Sequence, residues 1–102
     1  MAQALATLES KAGEVAALLS MLSNEKRLLM LCQIAESGEI TVGNLCESIG
    51  LSQSALSQHL ALLRAQGIVA TRKEGVSVHY RLADPRIAAL MGSMKDIFCP
   101  DA

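Results

Sequence analysis

Residues 41–82, TVGNLCESIGLSQSALSQHLALLRAQGIVATRKEGVSVHYRL, contain a change of period that decides the fold. Over 41–66 the apolar residues recur at steps of three and four, the spacing of one helix face. Thr41 can cap a short helix with Val42, Leu45, Cys46 and Ile49 inward, and Gly50 stops it. Ser52 can cap the next helix, about 53–66, with Ala55, Leu56, Leu60 and Leu63 inward and Gly67 as its stop. Helix, glycine turn, helix is the helix-turn-helix pattern. From Ile68 the period falls to two. Ile68–Lys73 and Val76–Leu82 are β-rich runs, and in the second Val76, Val78, Tyr80 and Leu82 alternate with Ser77, His79 and Arg81. Glu74-Gly75 is the predicted two-residue turn between them. A hairpin directly behind a helix-turn-helix reads as a wing.

Upstream, Leu5, Leu8, Ala12, Val15, Leu19 and Leu22 form one stripe on a long first helix, about 4–22. Ser23 is the expected cap of a second helix, about 24–37, with Leu28, Leu31, Cys32 and Ala35 inward and Gly38 at its end. Downstream, Asp84-Pro85 opens a last helix, 85–98, with Ile87, Leu90, Met91, Met94, Ile97 and Phe98 on its apolar side and Pro100 beyond it. The expected architecture is a mainly α (α+β) winged helix-turn-helix: five helices and a two-stranded β-hairpin, in the order α-α-α-α-β-β-α. The whole of 1–102 is one domain by length.

The chain is 51% hydrophobic but only 2% aromatic, more apolar surface than one small helical core needs. The wide stripes of the terminal helices are therefore assigned to a homodimer interface, and capping of the monomer core is the other use they could have. Six acidic and three basic residues give 1–51 a net charge of −3; Arg64, Arg72, Lys73 and Arg81 against Glu74 give 52–83 a net +3; 84–102 has a net −1. Affinity for a polyanion is thus expected to be local to the middle block. No segment approaches the ~20 apolar residues of a membrane helix, and Glu9 and Lys11 interrupt the first apolar stripe, against a secretory signal. A cytoplasmic protein with no membrane partner is expected, with Cys32, Cys46 and Cys99 reduced at rest.

On the helix from Ser52, the face opposite Leu56, Leu60 and Leu63 carries Gln53, Ser54, Ser57 and Gln58. Gln can pair twice with adenine, and Ser can meet bases or phosphates, in a major groove that admits a helix. The positive helix end adds an attraction for phosphate. His59 lies on the flank of the apolar stripe, where partial burial and base contact are both open. Arg72 and Lys73 flank the hairpin tip and are placed to meet backbone phosphate.

The runs Leu51–Arg64, Gly67–Val69, Arg72–Gly75 and Tyr80–Leu82, with Lys26–Leu29 in the second helix, resemble the ArsR/SmtB family of bacterial repressors over nearly the whole chain. The resemblance implies a homodimer that binds an inverted-repeat operator in double-stranded DNA, without a cofactor, and is released by an inducer. Metal sensors of that family carry Cys-x-Cys near the third helix or Asp/His ligands on the last. Here the third helix has Cys46 alone and residues 86–98 contain no His, so no metal ligand set is implied. Cys32 and Cys99 are similar in position to the dithiol of the sulfide- and persulfide-responsive (BigR/SqrR/HlyU-like) branch. That resemblance implies sensing of reactive sulfur species, a disulfide or polysulfide bridge between Cys32 and Cys99 releasing the DNA.

Taken singly, Cys32 and Cys46 each read as small buried hydrophobes, and Cys46 is left in that role. Cys99, at a helix end beside Pro100, has little packing reason to be a thiol. A regulator responding to peroxide or general oxidants, or to no thiol signal, stays open. So does a winged helix used only for protein contacts. A small thiol peroxidase has nothing behind it but the thiols, and no enzyme is expected.

Overall fold

Each expected helix forms, and its ends are set by local hydrogen bonding. The computed structural model describes residues 2–101; Met1 and Ala102, counted in the expected 1–102 domain, lie outside them. The elements are α1 (Ala2–Leu22), α2 (Glu25–Ser37), β1 (Ile40–Thr41), α3 (Val42–Ile49), α4 (Gln53–Ala65), β2 (Val69–Glu74), β3 (Ser77–Leu82) and α5 (Pro85–Phe98). This is the winged helix-turn-helix read from the sequence, with one strand added.

Thr41, Ser52 and Asp84 cap α3, α4 and α5 as expected, each accepting a backbone N–H two or three residues ahead. The cap of α2 is not Ser23 but Asn24, whose Oδ1 accepts the Arg27 N–H at 3.0 Å. Both are good capping types, and the backbone decides between them: Asn24 is extended, at φ −152° and ψ 122°. Between α3 and α4, Gly50 adopts the left-handed conformation (φ 77°, ψ 28°), and its N–H returns to the Cys46 carbonyl. A side chain there would be strained, so this glycine fixes the turn of the motif.

The sheet is antiparallel in the order β1-β3-β2. The added strand, β1, pairs Ile40 with Tyr80 and Thr41 with His79. Two residues carry no periodicity, so only tertiary pairing reveals it. The hairpin register places Glu74 opposite Ser77, which moves the turn by one residue to Gly75-Val76. Gly75 is at φ 61° and Val76 is not left-handed, the pattern of a type II′ turn with Gly first. Val76 therefore is not an inward strand residue; it stands wholly exposed at the wing tip.

The core gathers Met30, Leu31 and Ile34 of α2, Leu45 of α3, Leu56, Leu60 and Leu63 of α4, and Ile87 and Met91 of α5, closed by Ile68 and Val69. The buried face of α2 is turned from the expected one: Leu31 is buried, Leu28 and Cys32 are half-buried, and Ala35 is exposed. Met30 and Ile34 take its place because α2 is wedged between α3, β3 and α5. From α1 only Leu22 enters the core. A radius of gyration of 15.0 Å exceeds the ~13 Å of a compact chain of this length, because α1 extends from the body with Leu5 and Leu8 exposed. Among the described residues, no helix is long and apolar enough to cross a membrane.

Candidate nucleic-acid interface and dithiol groove

The exposed side of α4 begins at its cap. Ser52 Oγ accepts the Ala55 N–H at 3.2 Å, so this hydroxyl orders the helix start. Gln53, Ser54, Ser57 and Gln58 are all exposed, while His59 is half-buried on the flank. The buried row of Leu56, Leu60 and Leu63 fixes the rotation of the helix and so directs the four polar side chains outward. Arg64, also exposed, falls seven residues after Ser57, two turns along the same row. Its charge and helical spacing were the signals that could have placed it among the candidates.

The two basic wing residues differ in their surroundings. Lys73 is exposed. Arg72 is held by carboxylates: its Nη2 and Nε donate to Glu39 Oε1 at 2.6 and 3.0 Å, and its Nη1 donates to Glu74 Oε2 at 2.8 Å. These bonds hold both carboxyls below the usual glutamate range and raise the guanidinium pKa further.

The three cysteines are free thiols. Cys46 is half-buried on α3, packed against the core. Cys32 and Cys99 lie together along a groove of about 970 Å³ between α2 and α5, which also exposes Leu28, Met94 and Phe98. Cys32 is half-buried on α2, and its Sγ–H donates to Met91 Sδ at 3.6 Å. Burial, then the neighbouring Cys99 and Glu36, push its pKa up, so less of it is thiolate at neutral pH. Cys99 is exposed at the C-cap of α5, where its N–H donates to the Lys95 carbonyl at 2.8 Å. Lys95 and Glu36 pair across the groove at 3.1 Å. Among the described residues, no three His, Cys, Asp or Glu side chains converge as a metal site would require.

Comparison with known proteins places this geometry. The model of the arsR family of bacterial regulatory proteins matches residues 24–71, from the cap of α2 into the wing. The biofilm growth-associated repressor of Xylella fastidiosa is 44% identical over 92 residues, covering 90% of this chain and 80% of the relative. The transcriptional activator HlyU of Vibrio cholerae is 40% identical over 95 residues, covering 93% and 87%. The crystal structure of the transcriptional repressor BigR from Xylella fastidiosa superposes with a TM-score of 0.84 at 43% identity, covering 91% of this chain and 94% of that one. With its helix-turn-helix, its wing and its near full-length relatives, the chain belongs to the ArsR family of bacterial regulatory proteins.

Proposed function

We propose that this chain is a homodimeric DNA-binding transcriptional regulator, most simply a repressor, released from an inverted-repeat operator when reactive sulfur species bridge Cys32 and Cys99. The observation that carries the sensing part is the shared groove: both thiols border one cleft, yet they stand on different helices, α2 and α5. A bond between them would tie the helix that leads into the helix-turn-helix to the last helix of the chain. The DNA part rests on the family and on the exposed Gln53, Ser54, Ser57 and Gln58 at the start of α4, with Ser52 as the cap, His59 on the flank and the basic wing beside them.

The exposure of Cys99 and the raised pKa of Cys32 give the chemistry an order. The Cys99 thiolate attacks the terminal sulfur of a small hydropersulfide, forming Cys99–S–SH and releasing the parent thiol. The Cys32 thiolate then attacks the Sγ of Cys99 itself, forming the disulfide as the Sγ–SH bond breaks and hydrosulfide leaves. The two cysteines lose two electrons, and the transferred sulfur leaves as sulfide. If the chain on Cys99 is one sulfur longer, attack on its middle sulfur leaves a trisulfide. A direct disulfide needs Cα atoms within about 7 Å; each added sulfur relaxes that limit, so mass spectrometry of the product distinguishes the two bridges.

The open apolar residues of α1 and α5 are assigned to the second copy, which would set the spacing of the two α4 helices against half-sites about 34 Å apart. A bridge that shifts α5 would change that spacing, with a coupling on the order of 1–3 kcal/mol. The test is operator binding with and without a persulfide donor, for wild type and Cys99→Ser, with the products weighed by mass spectrometry. Loss of binding in wild type alone, with added mass in multiples of sulfur, is expected. Equal release of both proteins overturns the dithiol. A disulfide formed with peroxide and no sulfur adduct from the persulfide donor reassigns the input to general oxidants.

A further inference from the structure

We propose that Arg72 is not a DNA contact but the strut that sets the angle of the wing, and that the wing meets DNA through Lys73 and the tip at Val76. This rests on the reading above that the wing lies against DNA.

Strand alternation separates the two basic neighbours. Side chains of successive strand residues point to opposite faces, and the register pairs Val69 with Leu82, Thr71 with Tyr80 and Lys73 with Val78. Lys73 thus shares the face whose other end, Val69, is buried in the core. Arg72 is opposite His79, and Glu74 is opposite Ser77, on the outer face. Glu39 reaches the same face from the segment between α2 and β1, directly before the pairing of Ile40 with Tyr80.

All three guanidinium nitrogens of Arg72 are occupied. Nη2 and Nε hold Glu39, with Nε at 3.0 and 3.3 Å from its two oxygens, and Nη1 holds Glu74. His79 adds to the cluster, its Nδ1 lying 3.8 Å from Glu39 and its Nε2 3.9 Å from Glu74. A single exposed ion pair does little, but a fork-on-carboxylate arrangement joined to a second carboxylate is a network. This one joins three points: the end of α2, the middle of β2 and the start of the wing turn. A phosphate would have to displace two carboxylates to reach Arg72, whereas Lys73 forms no ion pair among the described residues. Beyond Lys73 the tip is apolar: Val76 is fully exposed. That suits contact with sugar and groove wall better than charge neutralisation.

The experiment reads the wing twice. In the free protein, amide hydrogen exchange is followed over 70–81 for wild type, Glu39→Gln and Arg72→Gln. Both variants are expected to speed exchange in the wing while α3 and α4 keep their protection. Unchanged wing exchange overturns the strut, whether or not DNA is bound. On a duplex selected from a random-sequence pool, affinity is then measured against salt. Lys73→Gln should lower the slope of log K on log [salt] by about 1, the mark of a lost phosphate contact. Arg72→Gln should weaken binding about two- to fivefold with the slope unchanged, and Glu39→Gln should weaken it likewise. A slope lowered by Arg72→Gln, or tighter binding by Glu39→Gln, would show a free Arg72 grasping phosphate and overturn the proposal. Failure of the wild type to select any duplex sinks the DNA-binding reading instead, and leaves the exchange measurement to judge the strut.

Discussion

The helix-turn-helix and the terminal helices use similar leucines to different ends. Leu45, Leu56, Leu60 and Leu63 are fully buried within one chain. Leu5 and Leu8 on α1 are 60% and 54% exposed, and Ile97 and Phe98 on α5 are 68% and 77% exposed. The middle of the molecule closes its own core; the two ends leave apolar stripes open at opposite limits of the sequence. The difference teaches that the helix-turn-helix buries its leucines within the chain, while the terminal helices leave theirs open. In the reading proposed here a second copy would cover these residues.

The sharpest way to test the contrast is to cut into each region. Leu60→Ala should cost about 3 kcal/mol of stability, read as the shift of a denaturant midpoint, because it removes a wholly buried side chain and leaves a cavity. The double change Leu5→Glu and Leu8→Glu should raise the dimer dissociation constant at least tenfold, about 1.4 kcal/mol, in sedimentation equilibrium, with little change in the protection of α3 and α4. Equal loss of stability from Leu60→Ala and from the Leu5/Leu8 double change would erase the distinction. Ser52→Ala should cost about 1 kcal/mol through the lost cap of α4. Its effect on operator affinity should follow from a loosened helix start, so Ser52→Asp, which keeps a capping acceptor, should restore the stability.

Two smaller effects concern charge. Alkylation of the reduced protein should label Cys99 before Cys32, because burial keeps Cys32 protonated; raising the pH toward and past 9 should narrow the gap. Peptide mapping of the labelled protein checks the order, and faster labelling of Cys32 would reverse the sequence of attack. Glu39, before β1, and Glu74, in the wing, have lowered pKa values through their bonds to Arg72. A lowered carboxyl pKa stabilises the folded wing above the ordinary glutamate value and ceases to do so as pH falls through the folded value. Wing exchange, corrected for its intrinsic pH dependence, should therefore stay slow down to about 4.5 and rise below it.

Much of this was legible in the residues because its causes are local. Gly50, Ser52 and the row Leu56, Leu60 and Leu63 declare the helix-turn-helix, since turn, cap and helical face each depend on neighbours within a few positions. The switch to alternation from Ile68 declares the wing. Errors arose where two local choices were equally good. Ser23 and Asn24 can both cap, and the turn can close on Glu74-Gly75 or Gly75-Val76 until the register is fixed by cross-strand pairing.

The sequence by itself determined the order of the five helices and the hairpin, the caps of α3, α4 and α5, the polar side of α4, and the two cysteines that resemble a sensing pair. Tertiary structure decided what depends on segments far apart in the chain. It brought Cys32 and Cys99 to one groove, paired Ile40-Thr41 with β3, and turned α2 so that Met30 and Ile34 are buried while Ala35 is not. It also joined Arg72 to Glu39, thirty-three residues away, and left Lys73 beside it with no ion pair among the described residues. Sequence spacing fixes which side chains share a face of one helix or strand; which face meets which is fixed only when the core closes.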